Sequence, residues 1–84
     1  MTVIPIAVFD VLDYLKMWIN KAIANRDSLE YNDYIDRVRV LYRVIFLLLY
    51  EYDRESLEFL KNEVVNYCRE KGMNDWDIIV MFSE

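Results

Sequence analysis

The stretch from Val38 to Tyr50, VRVLYRVIFLLLY, is apolar on more than one side when it is wound as a helix. A helix on the surface of a small protein needs one apolar stripe facing its core; a second stripe has to be covered by something else. The main stripe over this region is Tyr31, Tyr34, Val38, Leu41, Tyr42, Ile45, Leu48, Leu49 and Tyr52. The opposite side begins polar at Asp33, Asp36 and Arg37, then turns apolar through Val40, Val44 and Leu47, with Phe46 and Tyr50 alongside. Valines and arginines partly alternate from Val38 to Phe46, as in a strand, but the helical spacing persists over about 20 residues and is preferred.

The segments on either side read the same way. Pro5 suits the first position of a helix, where its missing N–H costs nothing. Val8, Val11, Leu12, Leu15, Trp18, Ile19, Ala22 and Ile23 then recur at steps of three and four. Asp27-Ser-Leu-Glu30 has the spacing of a capping box and is expected to start the second helix. Asp53 is a cap and break before a third helix carrying Leu57, Leu60, Val64, Tyr67 and Cys68. Gly72, the single glycine, sits where a helix end wants a left-handed residue. Asn74-Asp-Trp-Asp77 resembles a further N-terminus, leading into Ile78–Phe82 as a short helix or a short strand. Helices are therefore expected at about 5–25, 28–52, 54–71 and 75–82. The first three would span roughly 32, 37 and 27 Å. Similar lengths and short connections predict an all-α, up-down bundle of three long helices and a short C-terminal one.

Eighty-four residues with 56% hydrophobic content form one domain able to fill a core without staples. Cys68 is the single cysteine and histidine is absent, so neither an internal disulfide nor a zinc site is available. A lone thiol suits a reducing compartment, and cytoplasm, the cell's own or a host's, is expected. The apolar start, Thr2 to Phe9, lacks the basic residues and cleavage site of a signal peptide. The longest uncharged apolar run, Val44 to Tyr50, is far short of the roughly 20 residues needed to cross a bilayer.

Chemistry-bearing clusters are few. Asp10 with Asp13, and Asp33 with Asp36, lie on polar faces near helix starts, where acids are expected for dipole reasons alone. Asp75-Trp-Asp77 reads as capping plus one anchored aromatic. Cys68 lies on a core stripe with no histidine to activate it, and no phosphate loop or nucleophile elbow is present. Neither catalysis nor a cofactor is expected. Arg37, Arg39 and Arg43 form the one basic cluster, a possible anion contact, although Asp33 can pair with Arg37 and Asp36 with Arg39.

The net charge of −5 disfavours nucleic acid and anionic membranes as partners. The first functional reading is a protein-interaction module, a homodimer through helix two that also meets another protein. Its interface candidates are Val40, Val44, Phe46, Leu47, Tyr50 and Tyr14. Burying Val40, Val44, Phe46 and Leu47 would contribute on the order of 6–12 kcal/mol, against about 4–15 for association. The internal alternative has Trp76, Ile79, Val80 and Phe82 folding back over the second stripe. A different class of function is an acidic inhibitor, antitoxin or immunity protein using Glu55, Glu58, Glu63, Glu70, Asp75, Asp77 and Glu84 against a basic site. A DNA-binding regulator using the three arginines is the weaker alternative.

Overall fold

In a computed structural model, residues 3–83 are described, and they form four α-helices and no strand. The all-α bundle is as expected. Helix α1 spans Ile6–Ala24, α2 Tyr31–Leu49, α3 Arg54–Glu70 and α4 Asp75–Met81. The valine–arginine alternation of residues 38–46 is helical, and the C-terminal segment is a helix rather than a strand.

Each helix buries one stripe. In α1 this is Val8, Leu12, Leu15, Ile19 and Ala22; in α3 it is Leu57, Leu60, Val64 and Cys68. The α2 core residues are Ile35, Val38 and Tyr42, and α4 adds Ile78 and Met81. Trp18 stacks on Tyr34 at 6.0 Å, and Val11 meets Ile45 in one groove, so α1 and α2 run antiparallel. Phe9 meets Phe59 at 5.3 Å and Asn20 accepts a hydrogen bond from Tyr67, so α3 runs parallel to α1. The Tyr31 hydroxyl donates to Asp77 (2.5 Å), and Tyr42 meets Phe82 edge-to-face at 4.7 Å. Helix α4 and the residue after it thus lie beside α2 from Tyr31 to about Tyr42, and at about 10 Å the helix is too short to flank the last turns of α2.

Local chemistry sets most boundaries. Pro5, with ψ of 145°, stands just outside α1 rather than at its first position. The Asp53 side chain caps α3 by accepting from the Ser56 N–H, and Asn74 caps α4 by accepting from the Asp77 N–H. Gly72 has φ of +79°, and the Gly72 and Met73 N–H groups donate to the Arg69 and Cys68 carbonyls. This is a Schellman ending, with Met73 and Cys68 buried together in the core.

Helix α2 departs from its expected limits of 28–52 at both ends. The capping box at Asp27 does not form: Ser28 Oγ instead accepts from the Glu30 N–H, and three-residue turns occupy 25–30. Leu29 is fully exposed and supplies no hydrophobic anchor for an earlier start. At the far end Asp53 stops the chain, leaving Tyr52 in a turn and in water rather than on the core stripe. Leu48 likewise faces outward, and Ile35 takes the core position between Tyr31 and Val38.

Candidate functional site

The outer face of α2 is open. Val40, Val44, Leu47 and Leu48 are 51, 49, 68 and 65% exposed in one row, and only its far end, at Leu48, borders a groove that α3 reaches with Leu60. The C-terminal segment does not fold over them. Ile78 and Met81 turn into the core with Val80 and Phe82 packed beside them, whereas Trp76, 72% exposed, and Ile79 face away into water. Trp76 is therefore not the anchored aromatic expected of Asp75-Trp-Asp77.

This row continues into the seam between α1 and α2. Three shallow grooves there, of about 430, 310 and 270 Å³, share residues end to end: Tyr14 and Leu41 link the first two, Val11 and Ile45 the second and third. Tyr14 is exposed and lines the same groove as Val40. Leu48 lines the third groove. At the upper end, the exposed Arg37 lies over the Trp18 ring at 4.7 Å and over Tyr34 at 5.8 Å, a cation–π contact at the rim of the groove. The four α2 side chains, Tyr14 and the seam form one apolar face about four helical turns long.

The remaining candidates fall elsewhere. Phe46 is half-buried; its ring lies 6.4 Å from Tyr42 and 4.9 Å from Tyr50, on the α4 side of α2. Tyr50 carries Arg54 over its ring at 4.3 Å, and Arg54 Nε donates to the Tyr50 carbonyl. The basic cluster is split by helix geometry. Arg37 joins the seam, whereas Arg39 and Arg43 point to the α3/α4 side, with Arg39 Nε 3.5 Å from Asp36. There Lys61 of α3 joins them around a cleft of about 200 Å³. Lys61 was not a candidate from sequence because periodicity says nothing about which helix lies next to which.

Cys68 is fully buried, and burial pushes its thiol up to about 12. Tyr31 is also raised to about 12, by burial first and then by its hydrogen bond to the Asp77 carboxylate. Both shifts favour the neutral form and serve packing. Among the described residues no group of three or more histidine, cysteine or carboxylate side chains could hold a metal ion, and no helix is long and apolar enough to cross a membrane. Of the acidic series, Glu84 lies outside the described residues, as does Thr2 of the apolar start.

Comparison with protein-family models, curated proteins and solved structures finds no match to this chain.

Proposed function

We propose that this protein works by contact, as a homodimer that packs α2 against its copy across the outer face of the bundle, and that the resulting body is an interaction module. The observation that carries the reading is the unbroken row Val40, Val44, Leu47 and Leu48 beside the open α1/α2 seam. Its exposed apolar surface, with Tyr14, is on the order of 500 Å², and the charged rim brings it toward the roughly 800 Å² per partner of a standard interface.

A second copy suits this face because the pattern is self-complementary. A two-fold axis at Val44 sets two antiparallel α2 helices so that Val40 of each opposes Leu48 of the other. The same register sets Arg37 opposite Glu51, both seven residues from the axis, so rim charges of opposite sign meet twice. The acidic-inhibitor reading gains less support, since Lys61, Arg69 and Lys71 interleave with the α3 carboxylates. The DNA-binding reading loses its continuous basic strip once Arg37 parts from Arg39 and Arg43.

Sedimentation of the wild-type chain and of Val44→Glu tests the dimer. The wild type is expected to sediment as a dimer at micromolar concentration. Val44→Glu places two carboxylates at the axis, where like charges cost several kcal/mol. That variant is expected to remain folded and become monomeric. A wild-type chain that stays monomeric at several hundred micromolar refutes the homodimer.

A further inference from the structure

Arg39, Arg43 and Lys61 converge on one cleft although the chain carries five more acids than bases. The cleft opens at the C-terminal end of α4, between α2 and α3. Tyr42, Phe46, Met81 and Phe82 line it beneath the cations. Tyr42 and Met81 are buried, and Tyr42 and Phe82 meet at right angles (89°), giving the lining a fixed shape. Lys61 Nζ lies 5.8 Å from the centre of the Phe82 ring, so cation and ring are adjacent parts of one wall.

Two acids stand near. Asp36 pairs with Arg39 at 3.5 Å, and Glu58 is close enough to act, with burial, in raising the Tyr42 hydroxyl. Among the described residues no carboxylate lies within ion-pair distance of Arg43 or Lys61. Two cations thus remain for a ligand, on α2 and α3, with Arg39 as a third whose partner is solvated and exchangeable.

We propose that this cleft binds a small anion carrying one flat ring, of the aryl phosphate or aryl carboxylate class. The charged group would sit between Arg43 and Lys61, with Arg39 at its edge, and the ring would lie against Phe46 and Phe82. An anion alone would gain only the exposed, screened attraction of surface charges. A neutral ring alone would gain only modest apolar contact. The arrangement favours a ligand that supplies both, and about 200 Å³ suits a single ring rather than a nucleotide.

Phenyl phosphate, inorganic phosphate and phenol, titrated separately while amide chemical shifts are followed, provide the test. Saturable shifts are expected for phenyl phosphate, centred on Tyr42, Phe46, Lys61 and Phe82, with affinity about tenfold or more above that of either part. Arg43→Ala with Lys61→Ala, both exposed and outside the core, is expected to abolish this binding and leave the fold intact. Phe82→Ala is expected to bring phenyl phosphate down to the level of inorganic phosphate. The proposal is overturned if phenyl phosphate binds no better than inorganic phosphate, if its shifts map elsewhere, or if the double variant binds it normally.

Discussion

Asp53 and Ser56 form a doubly hydrogen-bonded unit at the start of α3, and its energetics can be worked from geometry. Asp53 Oδ1 accepts from the Ser56 N–H at 3.1 Å, and Oδ2 accepts from the Ser56 hydroxyl at 2.6 Å. Ser56 is completely buried. Asp53→Ala therefore removes two things: an N-cap, worth about 1 kcal/mol, and the acceptor of a buried hydroxyl, whose orphaning costs about 1–3 kcal/mol. A total of roughly 2–4 kcal/mol is expected, a large share of the 5–15 kcal/mol typical of a folded domain. Ser56→Ala removes the hydroxyl itself and leaves the cap, so its cost is expected to stay below about 1 kcal/mol. In the double variant nothing is orphaned, and Ser56→Ala should restore about 1–3 kcal/mol to Asp53→Ala. Urea unfolding of all four proteins, followed by far-ultraviolet circular dichroism, measures the cycle. Should the double variant be as unstable as the sum of the two single ones, the hydroxyl was never orphaned and the reasoning fails.

Three further outcomes follow from the fold and the proposed dimer. Arg37→Glu and Glu51→Arg should each weaken the dimer, and the two together should restore it toward wild type; additive weakening in sedimentation would refute the register about Val44 while leaving dimerisation itself intact. Gly72→Ala meets no atom within 4 Å, so its cost is purely the left-handed backbone, about 1–2 kcal/mol, read as a fall in Tm of several degrees. Tyr31 and Cys68 are held above their ordinary values of 10.0 and 9.0, so they support the fold below those values; stability measured against pH should fall as pH rises from about 9 toward 12, and Tyr31→Phe should flatten part of that fall.

Local signals in the sequence predict most of the frame. Gly72, Asp53 and Asn74 each satisfy a helix end with their own chemistry, so their roles need no knowledge of the tertiary fold. The α1 and α3 stripes have one apolar side each, and their cores follow directly from spacing. Helix α2 is different because apolar residues occupy most of its circumference. Periodicity then cannot choose between Tyr34 and Ile35, or say which of Leu47, Leu48 and Leu49 turns inward; the neighbours decide. The start of α2 was obscured for a related reason. Asp27 has a capping residue's spacing, but Ser28 offers its hydroxyl to the Glu30 N–H and closes a competing local turn. The site around Lys61 depends on the α2/α3/α4 adjacency, which no local pattern encodes.

The two surfaces proposed here occupy different flanks of one helix, and this makes their independence testable. Counting 100° per residue along α2, Arg39 and Phe46 lie 100° or more from Val40, Val44 and Leu48 on the flank toward α4, whereas Arg43, about 60° from Val40, stands at the border of the two surfaces. A copy packed on Val40, Val44 and Leu48 leaves Arg39, Phe46 and Lys61 open to solvent and passes beside Arg43. Monomeric Val44→Glu should therefore bind phenyl phosphate with the wild-type affinity, within about twofold. If that variant loses the ligand while its amide spectrum remains folded, the cleft is completed by the second chain. Equal binding by monomer and dimer would instead leave α2 serving two contacts at once, one apolar and one ionic, with the core stripe between them.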